Sequence, residues 1–128
     1  MDSNITRIEV SVGEIVDKLS ILQIKTEMIT DKEKLSNITK EYDYLYDVVF
    51  NYMKIEQSDF FDLVSVNRRL WKIEDEIRNK EYNKEFDQEF IKLSRSVYIT
   101  NDERSECKKR INIKYGSNFI EEKSYKKY

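Results

Sequence analysis

The sequence predicts an all-α fold: an antiparallel helical bundle of about five helices behind a short extended N-terminal arm. Two observations predict it. The 128 residues include 2 glycines and no proline, and a chain nearly free of both can run long helices. Proline breaks the backbone hydrogen-bond ladder, and glycine weakens it by its conformational freedom. Apolar residues also recur at alternating steps of three and four, the spacing of one buried helix face. The length suits a single helical domain over residues 1–128.

Residues 1–10 form a flexible arm, β-leaning from Ile5 to Val10. Ser11 and Glu14 then make a capping box, in which a hydroxyl accepts from an early backbone N–H and the carboxylate reaches back. The first helix runs from Val12 to about Ile29. The stretch Thr30-Asp31-Lys32-Glu33 repeats the capping pattern. A second helix follows to about Ile55, with Leu35, Ile38, Tyr42, Leu45, Val49 and Tyr52 as its stripe. Ser58-Asp59 caps a third helix to about Lys80, whose core side carries Phe60, Leu63, Val66, Leu70, Ile73 and Ile77. After a break at Asn83–Glu85, a fourth helix carries Phe86, Phe90, Leu93 and Val97. Thr100-Asn101-Asp102-Glu103 starts a fifth, which stops near Gly116, a left-handed terminator. Residues 117–128 are a charged, aromatic tail without an assigned element. Short connections favour antiparallel neighbours.

Polar side chains stand out where the helical pattern calls for apolar ones. In the first helix, Val12, Ile15, Val16, Leu19 and Leu22 cover one arc, and Ile21, Ile24 and Met28 another nearly opposite. Glu14, Lys18 and Lys25 lie in the gap, and Asp17 lies within the second arc. Charges flanked by apolar surface line a pocket, a partner or an internal ion pair; the plain alternative is a Glu14–Lys18 pair at i,i+4 on solvent. In the third helix, Asn67, Trp71, Glu74 and Arg78 share an arc beside the stripe. Trp71 there is either a stacking platform for a ring or a half-buried anchor under the stem of Arg78.

A third cluster joins Arg95 and Tyr98 to Asn101, Asp102 and Arg104 at the expected helix corner. Asn101 and Asp102 are first of all caps, and a helix N-terminus beside two arginines is also an anion site. The run Glu121 to Tyr125 is read as a solvated, frayed end. Lys108, Lys109 and Arg110 are read as a solvated face, and Cys107 as a small core residue.

Composition excludes several function classes. With 23 basic and 25 acidic residues, the chain lacks the basic footprint that duplex nucleic acid selects. No apolar run approaches a membrane span and no signal peptide is evident, so the expected compartment is the cytoplasm. The one cysteine rules out an internal disulfide. The absence of histidine rules out histidine-based nucleophilic machinery and histidine metal sites. Any catalysis is left to carboxylates, lysine, tyrosine or a hard metal such as Mg²⁺.

The block from Val10 to Lys25, VSVGEIVDKLSILQIK, resembles the opening of an uncharacterised helical family of bacterial and tailed-phage proteins, the domain of unknown function 6165. The similarity continues through residues 66–75, 86–91 and 95–104, and ends at Gly116-Ser117 and Glu122 to Tyr125. The resemblance brings no activity with it. It implies that the polar anomalies are recurrent blocks, which makes Glu14, Asp17, Lys18, Lys25, Asn67, Trp71, Glu74, Arg95, Asn101, Asp102 and Arg104 the candidate ligand-binding residues. It also implies a bacterial cell, or a phage-infected one, as the setting.

Three functions compete on this basis. The first is a non-catalytic protein that binds an anionic, nucleotide-like small molecule. Lys18, Lys25, Arg95 and Arg104 would hold its phosphate, Trp71 or a tyrosine would stack its base, and Asn67 or Asn101 would read its edge. In a phage, such a protein would sequester a nucleotide signal of host immunity. The second is an enzyme on a nucleotide, sugar-nucleotide or polysaccharide, with Glu14, Asp17 or Glu74 as acid or base. Only there is a cofactor expected, Mg²⁺ on carboxylates. The third is a homo-oligomeric interaction module, built on the two arcs of the first helix and the heptad-like second. No membrane partner is expected.

Overall fold

A computed structural model describes residues 4–128; residues 1–3 of the expected arm lie outside them. Residues 5–10 are exposed and without regular structure. Helix α1 is Val12–Met28, α2 is Lys32–Tyr46, α3 is Gln57–Tyr82 and α4 is Gln88–Lys114, with a π-helical segment Asp47–Tyr52 continuing α2. There is no strand among the described residues.

The helix count differs from the expected five, because the fourth and fifth are one continuous α4. Thr100-Asn101-Asp102-Glu103 has the composition of a cap, but it lies mid-helix, where the backbone N–H groups already have partners one turn back. No glycine or proline interrupts residues 88–114, and cap-type residues cost only a few tenths of a kcal/mol each in a helix interior. Two other helix starts also move. Asp31 rather than Thr30 caps α2, accepting from the Lys34 N–H at 2.9 Å. Helix α3 begins behind Glu56 with no side-chain cap; Asp59 instead accepts from Lys114 at 2.8 Å and Tyr115 at 2.6 Å. Asp87 caps α4 through the Phe90 N–H at 3.0 Å.

Cross-helix pairs fix the directions. Between α3 and α4, Lys80 meets Asp87, Arg69 meets Glu103, and Asp59 meets Lys114. One number falls as the other rises, so the pair is antiparallel. Gly13 with Asn112, Glu14 with Lys108, and Asp17 with Arg104 make α1 antiparallel to α4 as well. Helix α1 touches α2, α3 and α4, and is the central element.

The core lies between α1, α3, α4 and the π-helical segment, around Val16, Leu19, Val49, Ile55, Phe60, Leu63 and Ile111. The α-helical ladder of the second helix stops at Tyr46, short of the expected Ile55. The π turns and a left-handed Lys54 (φ 59°) follow, and within this stretch Val49 and Ile55 are buried. The apolar stripe of α2 stays half-buried, and no α2 residue is fully covered. Gly116, at φ 65°, ends α4 in the conformation glycine adopts without a steric cost.

Candidate functional site

Helix α1 puts a carboxylate into the interior. Asp17, 3% exposed, accepts from Arg104 Nε on α4 at 3.0 Å and Nη2 at 2.5 Å. It also accepts from Asn67 Nδ2 on α3 at 2.8 Å, and that same amide donates to Ser20 at 2.7 Å. A buried carboxylate is tolerable only when donors replace the lost water, and here three helices supply them. The bidentate fork explains why arginine rather than lysine stands at 104. The bond to Asp17 raises the pKa of Arg104 above its ordinary value, against the opposing effect of burial.

One turn earlier a second pair repeats the arrangement. The Ser11 hydroxyl caps α1 by accepting from the Glu14 N–H at 3.2 Å, but the Glu14 carboxylate does not reach back. It pairs with the Lys108 ammonium, which also stands 3.6 Å from Glu121. The expected Glu14–Lys18 pair is therefore replaced; Lys18 stands 3.6 Å from Glu41 on α2. Lys108 is 8% exposed and does not belong to a solvated face, because the close approach of α1 brings the helices together over it. Gly13 permits that approach. A Cβ there would lie 2.7 Å from the Lys108 carbonyl oxygen and 3.0 Å from Asn112 Oδ1, the atom that accepts the Gly13 N–H at 2.6 Å.

Residues 117–128 have no helix, yet they do not stand off as a frayed end. Ser117 accepts from the Val12 N–H at 3.0 Å, Lys109 reaches Glu122 at 3.1 Å, and the Tyr128 hydroxyl donates to Asp102 at 2.5 Å. The Tyr98 and Tyr128 rings meet edge to face at 5.0 Å. The bond to Asp102 raises the pKa of the Tyr128 phenol.

Between α4 and this tail lies a hollow of about 600 Å³. Arg104, Lys108, Lys123 and Lys126 face it against two carboxylates, Asp102 and Glu121, and Tyr98, Tyr125 and Tyr128 supply its aromatic surface. Both carboxylates are engaged, Asp102 by Tyr128 and Glu121 by Lys108 and Lys123. Lys126, Ser105 and the Asn101 amide make no side-chain hydrogen bond or ion pair among the described residues.

A second hollow, of about 450 Å³, opens on the other side of Asn101 and Arg104, between α1, α3 and α4. Ile21, Ile24 and Leu70 line it with Trp71, and Glu74, Asp75 and Arg78 are also in its wall, Arg78 3.6 Å from Glu74.

The candidates from sequence divide accordingly. Asn67, Trp71, Glu74, Asn101 and Arg104 line the second hollow, and Asn101, Asp102 and Arg104 the first. Asp17 lies behind Arg104, and Glu14 behind Lys108. Lys18 and Lys25 line neither hollow. Arg95 is exposed and touches Tyr98 at 3.4 Å, outside the wall. The helix start proposed as an anion site at Asn101–Asp102 is absent, since α4 runs through it. Sequence reasoning left out Ser20, Lys108, Asn112, Lys126 and Tyr128. Lys108 carried a signal: it stands four residues after Arg104, on the same helix face.

Among the described residues, no three acidic or cysteine side chains stand together as a metal-binding group. Glu14–Asp17 and Glu74–Asp75 remain two separate pairs. Cys107 is buried, and burial raises the pKa of its thiol, so it behaves as a small apolar residue. No described helix is long and apolar enough to cross a membrane. Comparison with curated proteins and with solved structures finds no match. A family model, that of a family of unknown function, matches residues 6–128.

Proposed function

Since the chain belongs to that family, DUF6165, which has no assigned activity, we propose its function from the site alone: it binds a small, anionic, nucleotide-like molecule between α4 and the tail without transforming it. One observation carries this. The hollow of about 600 Å³ is the size of small-molecule pockets, which run from about 300 to 1,000 Å³. Its four cationic side chains outnumber its two acidic ones, and of the four Lys126 has no carboxylate partner among the described residues. Lys126 and Ser105 are free to meet a phosphate, and the tyrosines present ring faces and edges to a base.

Binding without turnover is supported by the place of the candidate acid/base residues, since none of Glu14, Asp17 and Glu74 lines this hollow. A general base needs a free lone pair aimed at a substrate proton. Asp17 spends its oxygens on Arg104 and Asn67, and Glu14 is held by Lys108. Arg104 and Lys108 are in turn fixed by these partners, which suits binding because a pre-placed cation loses little freedom when the anion arrives.

Thermal unfolding against a panel of mononucleotides, cyclic nucleotides, ADP-ribose and sugar nucleotides, with and without Mg²⁺, tests the proposal. A ligand at 100 times its dissociation constant adds about 2.7 kcal/mol, which raises the melting temperature of a domain this size by roughly 5–15 °C. A rise with a nucleotide that shrinks in Lys126→Ala, and with the compound recovered intact, supports binding. A flat panel on folded protein rejects it, and recovery of a cleaved product moves the function to catalysis.

A further inference from the structure

The second hollow, at Trp71, has a chemistry unlike the first, and the two share Asn101 and Arg104 in their walls. The first is cationic. The second has an apolar wall of Ile21, Ile24 and Leu70, the half-buried Trp71 ring, and the carboxylates Glu74 and Asp75. Its two arginines each face a carboxylate, Arg104 with Asp17 and Arg78 with Glu74 at 3.6 Å, so this lining offers phosphate no surplus of positive charge. It suits a flat ring that carries hydrogen-bond donors: the indole offers a stacking face, and carboxylates accept from amino or hydroxyl groups. The Asn101 amide between the hollows has no partner among the described residues, and it can both donate and accept.

We infer that Trp71 marks a ring-accepting subsite continuous with the anion site across Asn101 and Arg104, so that the ligand class is a two-ring molecule joined through phosphate, such as a dinucleotide or a nucleoside diphosphate sugar. This rests on the proposed anion site for the phosphate half only. The tyrosines take one ring, the lysines the phosphates, and Trp71 the other ring.

Trp71 is the single tryptophan of the chain, so its fluorescence reports this subsite alone. Adenosine, AMP and diadenosine diphosphate are titrated into the intact protein, with free N-acetyltryptophanamide correcting for absorption by adenine. Adenosine and diadenosine diphosphate are expected to quench Trp71, and the two-ring compound to bind at least tenfold tighter than AMP. In Trp71→Ala, calorimetry is expected to lose that tenfold advantage while AMP affinity stays within twofold. Trp71→Phe, which keeps a ring, should retain part of it and guards against loss of folding in the alanine variant. Nucleotide-dependent stabilisation without any change in Trp71 fluorescence overturns the subsite and leaves the anion site standing. Quenching by adenosine with no stabilisation by any phosphate compound keeps the subsite and rejects the anion site. Silence of Trp71 toward all three compounds overturns the inference.

Discussion

Helix α1 has two sides that are built on different terms. Toward α2 it packs through half-buried apolar and aromatic residues. Tyr42, Tyr46 and Phe50 stack in sequence toward Phe60, and the polar contacts are peripheral, as with Tyr42 donating to Gln23 at 2.7 Å. Toward α4 it buries Asp17, Lys108 and Asn112 among polar partners. Asn112 Nδ2 has no hydrogen-bond partner at all among the described residues. Apolar residues of matching shape usually serve stability as well as a buried ion pair or better, because desolvation offsets most of the Coulomb gain. The α2 side packs mainly by half-buried apolar contact, whereas the α4 side adds fixed polar groups to the buried apolar contacts of Cys107 and Ile111. That excess of fixed polar groups stands behind the two hollows.

The largest expected effect comes from cutting the α4 side. Arg104→Ala leaves the Asp17 carboxylate buried without its cation, and such single removals cost about 3–5 kcal/mol; urea unfolding measures it. The double variant Asp17→Leu/Arg104→Met should recover most of that loss while weakening nucleotide stabilisation. A double variant as unstable as the single one would mean that the pair is part of the packing itself.

Gly13→Ala comes next, at about 1–3 kcal/mol. The new Cβ meets the Lys108 carbonyl oxygen at 2.7 Å, and backbone cannot swing aside as a side chain can. A melting temperature equal to that of the parent would show that α1 and α4 are free to move apart. On the other side, Tyr42→Phe removes one half-buried hydrogen bond and should cost about 1 kcal/mol, with nucleotide stabilisation unchanged.

The smallest effect is a dependence on acid. Burial pushes the Asp59 carboxyl up, but the hydrogen bonds from Lys114 and Tyr115 outweigh it, and its pKa falls below the ordinary 3.8. A carboxylate lowered in the folded state stabilises above its unfolded pKa and loses that contribution as pH falls through the folded one. Asp59→Asn should therefore be less stable than the parent at pH 7, with the gap closing below about pH 4. A gap that is constant with pH would place the effect in packing.

How much of this was legible in the sequence varies between the same two sides. The all-α class, the antiparallel packing and the stops at Asn83–Glu85 and Gly116 follow from local rules, and α1 and α3 lie close to their expected bounds. Asp17 was visible as a charge inside an apolar arc. The merger of two helices into α4 was not, because a Thr-x-x-Glu box reads the same at a helix start and within one. Lys108 stood inside the run Lys108-Lys109-Arg110, where its place one turn after Arg104 was the one hint that the partner helix covers it. The tail's return onto α4 rests on contacts such as Tyr128 with Asp102 and Ser117 with Val12, and an extended segment has no periodicity to announce its partner.

The most direct test of the difference between the two sides is an amide NMR titration of the protein with the nucleotide that stabilises it most. Shifts in residues 97–108 and 119–128, joined by residues 21–24 and 67–78 when the ligand carries a second ring, with residues 32–52 silent, are the predicted result. Shifts centred on residues 32–52, or spread evenly over the chain, would contradict a ligand site on the α4 side.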